Sequence, residues 1–246
     1  MLRGWGRHLS FSGGLCACVV VAAAVFLGNN SACLGDSQVT NLNPGQSIGL
    51  SLLLSNSASS MQIGDKVFGE FSVVSGNTNL FTGDDLQLTA LSNLFGFGIS
   101  FTGAMTAIGN ITEDAVVRFS VAVTNSSQLI SDVHLDYDGL VFGAGFSSVT
   151  EDVFTGGFGG VLVKQIDVFN LLGGSNQQLT ASADLPTPVQ KIYIQKDIIF
   201  GGGAAGGQNM ALISIIDQTF SQIPEPSTML LSFAGLGTLM FLKRRK

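Results

Sequence analysis

"AVVRFSVAVT", residues 115–124, decides how this chain is read. Its side chains divide at period two. Val117, Phe119, Val121 and Val123 share one face, and Val116, Arg118, Ser120 and Ala122 share the other. Successive side chains of a strand point to opposite faces of a sheet, so this alternation marks a strand with one face in a core. The β-branched and aromatic residues fit the same reading.

The pattern repeats in both directions from there. Strands are expected at 47–55 (SIGLSLLLS), 67–75 (VFGEFSVVS), 86–92 (LQLTALS) and 97–105 (FGISFTGAM). Further strands are expected at 130–139 (ISDVHLDYDG), 160–169 (GVLVKQIDVF), 190–200 (QKIYIQKDIIF) and 211–220 (ALISIIDQTF). In 211–220 the isoleucines favour strand over helix. Turn signals separate these runs at 75–79 (SGNTN), 82–85 (TGDD), 109–110 (GN), 155–160 (TGGFGG), 171–176 (LLGGSN) and 185–188 (LPTP). Many short runs with turns between them indicate an all-β fold, a jelly-roll-like β-sandwich. The run "GGGAAGGQ" (201–208) ends without the Gly-Lys-Ser/Thr of a phosphate-binding loop and reads as an inter-strand connection.

The ends differ from the middle. Arg3 and Arg7 precede an uncharged, mostly apolar run of 13 residues from Leu15 to Leu27, and small and polar residues follow. That order is the one a secretory signal peptide shows, and the run is short of the ~20 residues a spanning helix needs. Residues 1–35 are therefore expected to be a signal peptide, with cleavage after Ala32 or after Gly35. Cys16 and Cys18 leave with it, and only Cys33 can survive, so no internal disulfide is expected. Residues 36–222 form the expected ectodomain, large enough for one sizeable core.

Charge excludes one class of partner. Between residues 36 and 242 five cations (Lys66, Arg118, Lys164, Lys191, Lys196) face all 17 acids, a formal charge of −12. A surface so acidic repels phosphate backbones, so no nucleic-acid partner is expected.

No constellation of catalytic residues is legible. Outside the signal peptide the only histidine is His134, so a Ser-His-Asp site would have to use it. It reads as an exposed histidine among acids. One histidine and at most one cysteine exclude the usual zinc sets. Paired carboxylates at 84–85, 113–114 and 151–152 read as turn residues. The one metal candidate is calcium on Asp132, Asp136 and Asp138, three hard carboxylates before Gly139. Otherwise no cofactor is expected, and the chain does not read as an enzyme.

The tail is the most specific feature. Pro224-Glu225-Pro226 is followed by 16 uncharged residues, 227–242, and then by Lys243, Arg244, Arg245 and Lys246. As a helix the run extends ~24 Å, just short of a ~30 Å hydrocarbon core. The cations after it would stop transfer and hold the C-terminus in the cytoplasm. This order, in residues 223–246, closely resembles the PEP-CTERM sorting signal of Gram-negative bacteria. The resemblance implies a short transmembrane helix at 227–242 and processing near the motif by an exosortase, a membrane cysteine protease-transpeptidase. It also implies a producer of extracellular polysaccharide. Stretches 61–72 and 196–228 look more loosely like parts of ectodomains that carry this signal. The resulting expectation is an exported protein, in transit through the inner membrane to the cell envelope, surface or extracellular matrix. Its role would be structural or adhesive in exopolysaccharide or biofilm. The alternative is a carbohydrate-binding module, marked by exposed Tyr137, Tyr193 or Phe side chains on a sheet face. A secreted hydrolase is third.

Overall fold

The computed structural model describes residues 38–56, 58–76, 86–171, 174–203 and 209–225, and the chain runs through them almost wholly as strands. Strands β1 (Val39–Leu42) and β2 (Ser47–Gly49) precede a five-residue helix, α1 (Leu50–Leu54). The hairpin β3 (Ser60–Ile63) and β4 (Lys66–Gly76) follows, and then the hairpin β5 (Gln87–Asn93) and β6 (Gly96–Ile108). Four long strands come next: β7 (Thr112–Val123), β8 (Gln128–Phe142), β9 (Phe146–Thr155) and β10 (Val161–Leu171). The last five are β11 (Asn176–Gln178), β12 (Thr180–Val189), β13 (Lys191–Gly201), β14 (Met210–Phe220) and β15 (Gln222–Pro224).

They form two sheets. One has the order β1-β3-β4-β7-β13-β9-β10-β11; the other has the order β12-β8-β14-β6-β5-β2, with β15 also paired to β8. Every pairing is antiparallel except β1 with β3. The chain passes repeatedly from one sheet to the other, so consecutive strands such as β7, β8 and β9 lie in alternate layers. This is a β-sandwich, whose core forms where the two inner faces meet.

The alternation in 115–124 holds residue by residue. Val117, Phe119 and Val121 are fully buried, and Val123 packs against the core. Phe119 meets Phe71 in a stacked contact (centroids 5.6 Å apart) and Phe101, from the other sheet, in a tilted one (6.0 Å). Aromatic pairs in these geometries add to what area burial contributes. The core is apolar apart from a few polar side chains, among them Glu151, Lys196 and Gln218, each wholly buried.

Four expectations need correction. The 47–55 run is a strand only to Gly49; its leucines then turn into α1, whose Leu50 and Leu53, three apart, bury one side. Residues 146–155 form a strand that the sequence reading missed, because Ser and Thr dilute its apolar alternation. Glu113-Asp114 and Glu151-Asp152 therefore lie within strands β7 and β9 rather than at turns. The 185–188 stretch lies inside β12, where the pairing register with β8 shifts between Asp184 and Val189. A proline cannot donate to the ladder, so an edge strand with a slipped register is where it fits.

The expected signal peptide (1–35), the transmembrane run (227–242) and the cations 243–246 lie outside the described residues. Among the described residues no helix is long and apolar enough to cross a membrane.

Candidate functional site

Strand β8 fixes the polarity of the smaller sheet's outer face. Val133, Leu135 and Tyr137 point into the core, so Asp132, His134, Asp136 and Asp138 point outward. The register then lines up one polar residue per strand. Thr180 on β12 faces Asp136 on β8, then Asp217 on β14, Ser100 on β6, Thr89 on β5 and Ser47 on β2. Ser47 Oγ and Thr89 Oγ1 are hydrogen-bonded at 2.8 Å. The next row places Ser182 against His134. A band of hydroxyls and carboxylates thus crosses the whole sheet.

An aromatic ring overhangs this band. The β5–β6 hairpin turns on Asn93, whose Oδ1 accepts the Phe95 N–H at 2.8 Å. It closes on Gly96 at φ 116, a backbone conformation suited to glycine. Any Cβ there would come within 2.5 Å of the Phe220 carbonyl oxygen. The tip is fastened by Ser221, whose Oγ donates to the Phe95 carbonyl at 3.0 Å. Phe95 thereby folds over His134, with ring centroids 4.0 Å apart and planes 23° from parallel. Phe95 keeps 45% of its surface exposed. Phe95, His134, Asp136, Thr180, Ala181 and Ser182 line a cavity of 310 Å³. Its make-up is a flat apolar ring, two hydroxyls and a carboxylate. Sites for small polar ligands combine apolar contact with a few placed polar groups in this way.

His134 is less exposed than the sequence implied, because Phe95 covers it. Its Nε2 lies 3.1 Å from Asp132 Oδ1 and 3.5 Å from Ser221 Oγ. The trio contains the residue types of a hydrolytic triad without its geometry. A triad sets the carboxylate and the nucleophile on opposite ring nitrogens, so that one orients the ring while the other receives the proton. Here both partners share one nitrogen, and the Ser221 hydroxyl is directed at a carbonyl. Asp132 Oδ1 also accepts the Ser221 N–H at 3.0 Å, so the trio ties β8 to the β14–β15 junction.

Asp217 sits at the centre of the polar row. Burial holds its carboxyl above the usual carboxylate range; the Ser100 hydrogen bond opposes this, and the charges of Asp136 and Asp138 add to it. The calcium candidates do not converge. Same-face residues of a strand are separated by ~7 Å per step of two, which puts Asp132 ~13 Å from Asp136 along β8. Calcium needs its oxygens at about 2.3–2.6 Å from one centre. Among the described residues no group of three or more His, Cys, Asp or Glu is placed to hold a metal ion.

The aromatic residues singled out from sequence lie elsewhere. Tyr137 is buried between the sheets, hydrogen-bonded to Ser147, so it is no surface platform. Tyr193, on the other sheet's outer face, is capped edge-on by Phe158 at 5.2 Å, with Lys191 Nζ 4.8 Å from its ring centre. Arg118 covers Phe158 at 5.5 Å. Tyr193 and Phe158 are less exposed than Phe95, which is stacked on His134 and still keeps much of its ring open to solvent. Sequence reading missed Phe95; the signal was an aromatic between Asn93 and Gly96, a hairpin signature at the end of two alternating runs.

Of the tail motif, Pro224 and Glu225 are described. Pro224 is the last residue of β15, opposite Gln128. The Glu225 N–H donates to Ser127 O at 2.9 Å, and its Oε1 accepts from Gln190 Nε2 at 3.2 Å. Pro226 lies outside the described residues.

No protein-family model and no curated protein matches this chain. Solved structures do. One is the module TmCBM61 in complex with beta-1,4-galactotriose, with 9% identity over 63% of this chain and 88% of that chain and a TM-score of 0.30. Another is the xylan-binding module CBM86 from Roseburia intestinalis, with 9% identity, 64% and 97% coverage and a TM-score of 0.24. A third is a family two carbohydrate esterase from Cellvibrio japonicus, with 12% identity, 63% and 36% coverage and a TM-score of 0.23. At TM-scores of this size the likeness carries no argument, and the functional reading rests on the site itself.

Proposed function

We propose that this domain is a non-catalytic carbohydrate-binding module that holds a neutral polysaccharide against the outer face of its smaller sheet. The observation that supports it is the Phe95 ring stacked on His134 beside Asp136, Thr180 and Ser182. A pyranose ring offers an apolar C–H face and a rim of hydroxyls. Phe95 matches the first, and the carboxylate and hydroxyls match the second. Hydrogen bonds to a charged acceptor are worth ~1.5–3 kcal/mol. The carboxylates on the same face, Asp132, Asp136, Asp138, Asp184 and Asp217, disfavour acidic sugars. Retention of the purified protein on immobilised neutral exopolysaccharide tests the reading. Wild-type protein should be retained and the Phe95→Ala variant should elute early; equal retention of both would reject the site.

We further propose that the protein is exported and sorted to the cell surface or matrix by an exosortase acting on residues 223–246. The support is the order of Pro-Glu-Pro, apolar run and terminal cations, together with the N-terminal signal pattern. Binding polysaccharide at that location is an adhesive role. Replacing Glu225 with Ala, or deleting 227–246, should abolish processing and surface display. Unchanged processing in both would reject the sorting reading and leave the binding reading intact.

A further inference from the structure

Strands β13 and β9 are neighbours in the larger sheet, and Lys196 on β13 lies directly opposite Glu151 on β9. Both side chains point into the sandwich, are fully buried and form an ion pair. Gln218 on β14 faces them from the other sheet, also fully buried, with its Oε1 2.5 Å from Lys196 Nζ. The three polar side chains therefore meet in an otherwise apolar core. Glu151 Oε1 and Gln218 Nε2 have no hydrogen-bond partner of good geometry. The Gln218 carboxamide is thus held in direct contact with the Lys196 amine.

We propose that Lys196 and Gln218 condense to an intramolecular isopeptide bond between the two sheets, with Glu151 as the proton carrier. The ion pair first becomes neutral when Lys196 Nζ passes a proton to Glu151. Burial favours this, because desolvation lowers the Lys196 amine and raises the Glu151 carboxyl, outweighing the attraction between them. The free amine then attacks Cδ of Gln218, one carbonyl bond of ~1.2 Å beyond the oxygen it contacts. Glu151 donates a proton toward Oε1 as charge develops there. On collapse Glu151 carries a proton from Nζ to Nε2, the Cδ–Nε2 bond breaks, ammonia leaves, and the Oε1 proton returns to Glu151 as the carbonyl re-forms. The Nζ–Cδ bond replaces the Cδ–Nε2 bond, one ammonia is released, and Glu151, ionised in the starting pair, ends as the neutral acid holding the remaining ammonium proton, so no oxidant or metal is needed. Shielding from water protects the amine and the intermediate, and the fold presents the partners at high effective concentration.

The product replaces two buried charges with one neutral amide. It also gives a covalent tie between sheets whose described residues include no cysteine. Cross-links of this kind stabilise chiefly by restricting the unfolded state.

The test is a tryptic map of the full-length chain after folding. With the bond formed, trypsin does not cut after Lys196, and one peptide from Ile192 onward contains both Lys196 and Gln218. Its mass falls short of the sequence mass by one ammonia. Fragmentation should locate the deficit between Lys196 and Gln218. The variants Gln218→Met and Glu151→Gln should restore the full mass and the cut at Lys196. Should either variant fail to fold, the wild-type map decides alone. Complete cleavage at Lys196 with no mass deficit would overturn the proposal. So would a deficit of water mapping to Lys196 and Glu151.

Discussion

Replacing Phe119 by Ala tests the reading of the stretch on which the fold was argued. Phe119 is fully buried and touches Phe71 within its own layer and Phe101 across the sandwich. Truncating such a ring costs ~3–5 kcal/mol in lost transfer free energy and residual cavity. A domain of this size has an expected urea m value of ~2–3 kcal/mol/M. The unfolding midpoint should therefore fall by about 1–2 M, with m unchanged. The neighbours supply the control. Arg118 and Val116 point outward, so alanine there should cost about 1 kcal/mol or less, with Arg118 losing a hydrogen bond to Gln195 and its place over Phe158. Alanine substitutions at 116, 117, 118, 119 and 121 should give a saw-tooth with large losses at 117, 119 and 121. Equal losses along the strand, or a period nearer four, would refute the placement of this strand between the two layers.

Other expectations follow from the same geometry. Asp217 has its folded carboxyl held above the unfolded value, so the native state takes up the proton more readily. Its contribution then strengthens as pH falls toward the ordinary carboxylate range and weakens as pH rises. Asp217→Asn should raise the melting temperature at pH 7 and flatten its dependence on acid; a lower melting temperature at pH 7 would contradict this. Ser221→Ala removes the tie to the Phe95 carbonyl and should cost ~0.5–1.5 kcal/mol of stability while weakening saccharide binding, both read by calorimetry. Calcium and chelator should leave the melting temperature unmoved, because Asp132, Asp136 and Asp138 are spread along one strand; a rise with calcium would restore the metal reading. Phe95→Ala should weaken saccharide binding about 10-fold, the equivalent of ~1.4 kcal/mol, with stability little changed.

Alternation made the fold class legible, and it did so where one face is wholly apolar, as in 115–124. It failed where polar residues occupy the inner face. Strand β9 buries Ser147 and Glu151, so its pattern looked like a turn. Glu151 escaped notice for the same reason: a carboxylate in a sequence is assigned to solvent unless its partner is known. That partner, Lys196, is 45 residues away and comes opposite it only through sheet register. The outward face of β8 could be read in advance, because Val133, Leu135 and Tyr137 fix the phase of Asp132, His134 and Asp136. The site itself could not. It depends on Thr180 and Ser182 from a strand the sequence reading did not place, reading only a turn at 185–188, and on Phe95 from a hairpin tip fastened by Ser221.

The central claim, that the Phe95–His134 face holds a saccharide, is tested most directly by mapping amide chemical shifts. The isotopically labelled protein would be titrated with the neutral oligosaccharide selected by the retention assay. The account predicts saturable shifts at Phe95, His134, Asp136, Thr180 and Ser182, absent in Phe95→Ala. Shifts clustered instead around Tyr193 and Phe158, or none with any neutral oligosaccharide, would contradict it.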